Sequence, residues 1–115
     1  MKLEQTFPVL IALAEHRGIN VIWKNLVGGY NGFWEFQGGV ESIILGEHLQ
    51  KDPEKKTIVL AHELGHAILH KNNFDATLYW QNSMHNEYAL RKEQEADIFA
   101  RALMLGSAVG IKFGA

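Results

Sequence analysis

The chain's 115 residues suffice for one domain with a single modest core, and 47% hydrophobic against 21% charged residues is an ordinary globular balance. A formal net charge of −2 leaves no basic footprint and gives nucleic-acid binding no support. With no cysteine, disulfides are excluded and any metal site must draw on His, Asp or Glu. The apolar run from Phe7 to Ala14 is short, is interrupted by Pro8, and falls far below the roughly 20 residues that span a bilayer. These features predict a cytoplasmic, single-domain protein over residues 1–115 with no membrane segment.

A first helix is expected from about Pro8 to Arg17, with Thr6 as N-cap and Gly18 just past its end. "INVIW" (Ile19 to Trp23) is a short β-prone run, and "GGYNG" (Gly28 to Gly32) is a loop cluster. "FWEFQ" and "VESIIL" flank Gly38-Gly39, a spacing that favours a hairpin with a primed turn. Three short antiparallel strands are therefore expected before the next helix. That helix begins with Asp52 as N-cap, Pro53 at N1 and Glu54 in the first turn, and runs to about His70, with Asn72 or Asn73 as its C-terminal cap. Its middle, "IVLAHELGHAIL", is apolar nearly all round and belongs in the core. Gly65 costs roughly 1 kcal/mol there relative to Ala, and close approach of another backbone or a ligand would account for it. After a polar stretch from Lys71 to Asn86, a last helix is expected from about Glu87 to Leu105, burying Ala89, Ala96, Phe99, Ala100, Leu103 and Met104.

The stretch "TIVLAHELGHAILH" carries the chemistry. His62 and His66 are four residues apart, so on a helix they share one face and can aim two imidazole nitrogens at one ion. Glu63 is turned roughly 100° from His62, where it can serve as a base toward a metal-bound water. Random order gives this pattern roughly 0.03 times in such a chain, so the pattern alone is not decisive. Burying two histidines and a glutamate on an apolar helix without partners is costly, and a metal explains all three together. His70 repeats the four-residue step, but eight helical residues rise about 12 Å, too far for His62 and His70 to share an ion. It is expected to support the site or to end the helix.

The third ligand is sought in "HNEYALRKEQEADIFARALML". On a helical wheel Glu93 falls roughly 60° from the buried stripe, Asp97 about 100° on the same side and Glu95 about 100° on the other. Glu93 is the expected ligand, Asp97 the acceptor for the outer N–H of one ligand histidine, and Glu95 part of a solvated face. Lys92 also falls near the stripe, which the wheel does not explain. His85, Tyr88 and Tyr79 are candidate donors to a developing oxyanion by proximity in sequence alone.

"AHELGHAILH" followed by "EQEADIFARALML" resembles the ImmA/IrrE family of zinc metallopeptidases and, more loosely, the gluzincins. The resemblance covers about half the chain through His62, Glu63, His66, Glu93, Ala96, Asp97, Phe99 and Ala100. It implies an α+β, zincin-like fold, a short antiparallel sheet packed on the motif helix, and a C-terminal ligand-bearing helix. It also implies a Zn2+ cofactor and peptide hydrolysis, with a transcriptional repressor of a mobile element or stress response as the kind of protein substrate. Two departures stand out. Where family members often continue with Leu-Leu-Met-Pro, this chain reads Leu103-Met104-Leu105-Gly106, and no helix-turn-helix module is attached. The expectation is a minimal catalytic core whose substrate-selecting parts are missing or supplied by a partner. The alternative is a non-proteolytic zinc-containing protein that sequesters a repressor or antitoxin; Glu63 speaks against it, because a structural metal site needs no base.

Overall fold

In a computed structural model, residues 3–71 and 87–108 are described, with side chains of 5–71 and 87–105. The elements run in the order α1 (Leu3–His16), β1 (Asn20–Lys24), β2 (Gly32–Gln37), β3 (Val40–Gly46), a 3-10 turn (Glu47–Leu49), α2 (Pro53–His70) and α3 (Glu87–Ala108). The fold is α+β, with α2 at its centre. The sheet lies against α2, α1 packs beside it and α3 runs along it. Leu10, Leu13 and Ala14 of α1 meet Ile43 and Leu45 of β3, Leu60, Leu64 and Ala67 of α2, and Ala100 and Leu103 of α3 in one core.

Helix α1 starts earlier than expected, so Thr6 is inside it and buried, and Pro8 is an interior residue rather than the opening one. Proline removes one backbone bond, and Phe7 against the Trp23 ring with Leu10 in the core holds this turn in place by packing. The helix closes where the sequence says. The Gly18 amide donates to the Glu15 carbonyl and the Ile19 amide to the Ala14 carbonyl, the paired bonds of a Schellman motif.

Gly38 and Gly39 both have positive φ (60° and 80°), as a type I′ turn requires, and Gln37 pairs with Val40 across it. The sheet order is β1-β3-β2, with β2 antiparallel to β3 and β1 parallel to β3. The expected all-antiparallel sheet is thus corrected to a mixed one. Ser42 to Leu45 are buried in succession, so β3 takes the centre, where both edges are covered. Its hairpin partner fills one edge. β1 fills the other, in the direction set by the docking of α1 on α2.

The bonded pairs of the hairpin recur every second residue from Gln37, so the amides of Gly32, Trp34 and Phe36 point away from β3. β2 is an edge strand beside the start of the motif helix. At the other end of α2 the buried Glu41 carboxylate accepts from the Trp34 indole (2.9 Å) and lies 3.2 Å from the Lys71 ammonium, tying helix to sheet.

Helix α2 begins as read, with the Lys55 amide donating to the Asp52 side chain at 3.0 Å and Pro53 at N1. The expected caps Asn72 and Asn73 lie outside the described residues. On α3, Ala89, Ala96, Ala100 and Leu103 are buried and Phe99 and Met104 are packed partly against the core, the stripe read from the sequence. A Cβ on Gly65 would sit 2.9 Å from the Ala96 carbonyl oxygen and 3.0 Å from its Cα. Gly65 on α2 and Ala96 on α3 are the small residues that let the two helices cross closely. Among the described residues no helix is long and apolar enough to cross a membrane.

Candidate metal centre

The close crossing at Gly65 and Ala96 sets His62 and His66 opposite Glu93. Their order along the helices, His62 beside Asp97 and His66 beside Glu93, makes α2 and α3 antiparallel. His62 Nε2 lies 2.7 Å and His66 Nε2 3.3 Å from the Glu93 carboxylate, and the two imidazoles meet edge-on with centroids 4.9 Å apart. One donor atom from each of the three lies within 4.8 Å of the other two. A tetrahedral ion with bonds near 2.1 Å holds its ligands about 3.4 Å apart, so modest side-chain movement would bring these three onto one ion. Two imidazole nitrogens and a carboxylate oxygen are a donor set that suits a divalent transition metal. His62, His66 and Glu93 could therefore hold a metal ion.

The electrostatics agree with a cation at this point. The Glu93 carboxylate, accepting from His62, raises the His62 pKa to about 9 against the opposing effect of burial, helped by the charges of Glu63 and Glu93 and by Asp97. Asp97 Oδ1 is 2.7 Å from His62 Nδ1, on the ring edge away from Glu93. Glu63 is buried, and burial raises its carboxyl pKa, while His66, His62 and a hydrogen bond from the Trp34 backbone act the other way. The outward amide of the edge strand is therefore what anchors Glu63.

A cleft of about 380 Å³ opens onto His62, Glu63 and Asp97. Its walls are Ile58 and Val59 of α2 and the loop Gly29, Tyr30, Asn31 and Gly32. A family model for peptidase M78, described as the IrrE N-terminal-like domain, matches residues 14–109. The chain belongs to this family. In this IrrE N-terminal-like domain the match takes in the sheet, the motif helix and all of α3, well beyond the two motifs that carried the resemblance. The family's name is that of a peptidase. No curated protein matches the chain significantly, and no solved structure does.

Within the domain, the structure brings His62, Glu63, His66, Glu93 and Asp97 together at one place. It treats the remaining candidates differently. Glu95 is no plain solvated residue: its Oε1 is a buried atom 3.4 Å from His70 Nε2. His70 is buried at 1% exposure, and its Nδ1 lies 2.9 Å from His66 Nδ1. Burial lowers its pKa. Lys92, the misfit on the wheel, lies 3.5 Å from Glu95 and over the ring of Tyr88. Tyr88 does not line the cleft, and the cation at its ring is what it meets instead. His85 and Tyr79 lie outside the described residues. Sequence reading missed Tyr30 and Asn31 as cleft wall, although the glycines flanking them in "GGYNG" signalled a loop free to approach a helix.

Proposed function

We propose that the protein is a zinc-dependent endopeptidase acting on a flexible segment of a partner protein, with a transcriptional repressor as the leading substrate. One observation carries the reading: a buried glutamate adjoins a His62, His66 and Glu93 cluster and lines a cleft together with His62. A site with only a structural role has no use for such a base. His62, His66 and Glu93 would hold the ion, with Asp97 orienting His62 through its Nδ1. Zinc, when bound, supplies Lewis-acid polarisation of the scissile carbonyl and acidifies a water molecule. Glu63 takes a proton from the attacking water and returns it to the leaving amine nitrogen. Burial at the foot of the cleft and the Trp34 backbone bond keep its carboxylate aimed at that exchange.

The β2 edge offers a track for the substrate. An extended segment laid along the outward-facing edge, beside the Trp34 amide already held by Glu63, would gain main-chain hydrogen bonds at Gly32 and Phe36 and bring a carbonyl to the foot of the cleft. Ile58, Val59 and Tyr30 would contact its side chains. The test is incubation with the repressor encoded beside the gene, with zinc and with a chelator present. Zinc-dependent cleavage at a single region, lost in Glu63→Gln, is the expected result. Saturable binding of the repressor to the zinc-loaded protein without cleavage would replace this reading with sequestration.

A further inference from the structure

Behind His66, on the side away from the cleft, lies a chain of side chains that the proposed chemistry leaves unused. His66 Nδ1 meets His70 Nδ1 at 2.9 Å, the two rings lie 5.1 Å apart at their centroids, and His70 turns its Nε2 toward the Glu95 carboxylate at 3.4 Å. Glu95 is held from its other side by Lys92 at 3.5 Å. The atoms His70 Nε2 and Glu95 Oε1 are both buried, and their 3.4 Å separation is an electrostatic contact rather than a formed hydrogen bond.

A neutral imidazole has one N–H and one lone pair, so a contact between two Nδ1 atoms makes one ring the donor and the other the acceptor. If His70 donated, its Nε2 would present a lone pair to a carboxylate oxygen, two acceptors facing each other. His66 would then carry its own proton on Nε2, the atom aimed at Glu93 and needed bare for a metal. If His66 donates instead, its contact with His70 and that of His70 with Glu95 have the right polarity. The one lone pair facing a carboxylate is that of His66 Nε2 toward Glu93, where a metal ion between them would satisfy both. His70 Nε2–H points at Glu95, His70 Nδ1 accepts from His66, and His66 Nε2 keeps its lone pair toward His62 and Glu93.

We propose that His70 and Glu95 are positioning residues that fix His66 in the Nδ1–H tautomer and hold its ring in the orientation in which Nε2 can bind a metal. His62 has a carboxylate directly behind it, Asp97 at 2.7 Å. His66 sits one turn further along α2, where the nearest α3 carboxylate on that side, Glu95, reaches His70 instead. His70 is thus an imidazole spacer that carries the effect of Glu95 to a ligand the carboxylate does not touch. The inference rests on the metal site proposed above but not on peptidase activity.

Two measurements test it. The first is the nitrogen-15 imidazole spectrum of the full-length wild-type protein, recorded without metal and after saturation with zinc. The relay requires His70 to show a protonated Nε2 and a bare Nδ1. A protonated Nδ1, alone or with Nε2, leaves His70 unable to accept and overturns the relay. The second is zinc affinity by competition with a chromophoric chelator. His70→Leu keeps bulk and removes the acceptor, and should weaken zinc binding about 10- to 100-fold, the usual effect of losing a group behind a metal ligand. His70→Asn offers an amide oxygen near the position of Nδ1 and should recover most of that loss. Folded His70→Leu with affinity within about twofold of wild type, or equal losses in both folded variants, would overturn it. Should His70→Leu not fold, the wild-type spectrum decides alone. Should the wild type bind no zinc, the proposed enzyme falls, while the metal-free spectrum still tests the tautomer.

Discussion

Glu63 and Glu93 are both glutamates near the same histidines, yet their surroundings give them different tasks. Glu93 touches both imidazoles, the place of a third ligand to a shared cation; Glu63 is tethered to the Trp34 backbone and faces the cleft. Glu63→Gln should therefore retain zinc and fold while losing hydrolysis of a verified substrate, because an amide cannot take the proton. Wild-type turnover in that variant would remove Glu63 from the mechanism. Glu93→Ala should lose zinc affinity at least about tenfold more than Glu95→Ala, since the first deletes a ligand and the second only a group two contacts away. Asp97→Ala should fall between them, roughly 10- to 100-fold below wild type. Chelator competition on the three variants orders them, and equal affinity for Glu93→Ala and Glu95→Ala would refute the assignment.

Helix α2 carries its ligands to α3 only because the two backbones nearly touch at Gly65. In a helix taken alone Gly65→Ala should stabilise by roughly 1 kcal/mol. Here the new methyl would meet the Ala96 backbone at 2.9 Å, with no flexible side chain able to yield. The variant is expected to lose roughly 1–3 kcal/mol, the usual cost of overpacking, and to weaken zinc binding as Glu93 moves away from the histidines. Denaturant unfolding and metal competition should show both effects together; a stabilised variant with full zinc affinity would contradict this account. The sheet makes a prediction of its own. β3 is already paired on both edges, so binding of substrate to the Glu63→Gln protein should add hydrogen-exchange protection to Gly32–Gln37 and leave Val40–Gly46 unchanged. Unchanged exchange across Gly32–Gln37 at saturation would rule out docking along the edge without touching the metal chemistry.

Across the whole molecule, a bound ion would link α2 to α3, which meet the sheet and α1 in one core. Zinc should therefore stabilise the fold as any native-state ligand does, by about 2.7 kcal/mol at a free concentration 100 times its dissociation constant. For a chain of this size that is a rise of roughly 10 °C in Tm, reversed by a chelator, with about one zinc per chain by metal analysis. Unaltered melting and no zinc above background after reconstitution would sink the metal site. The features written locally could be read from the sequence without a structure. They are the Asp52-Pro53 start of α2, the Gly38-Gly39 turn, the four-residue spacing of His62 and His66, and the buried stripe of α3, each fixed by dihedral preference or helical periodicity among near neighbours. The wheel also put Glu93 and Asp97 on one side of α3, because angular position follows from residue number alone. Periodicity says nothing about which strand takes the centre of a sheet, so the parallel placement of β1 followed from the burial of β3 and the docking of α1. Nor does it say what stands opposite a polar residue. His70 became the neighbour of His66 and Glu95, and Tyr30 the wall of a cleft, only when α3 and the loop were brought against α2, because those contacts join residues far apart in the chain through the packing of the core.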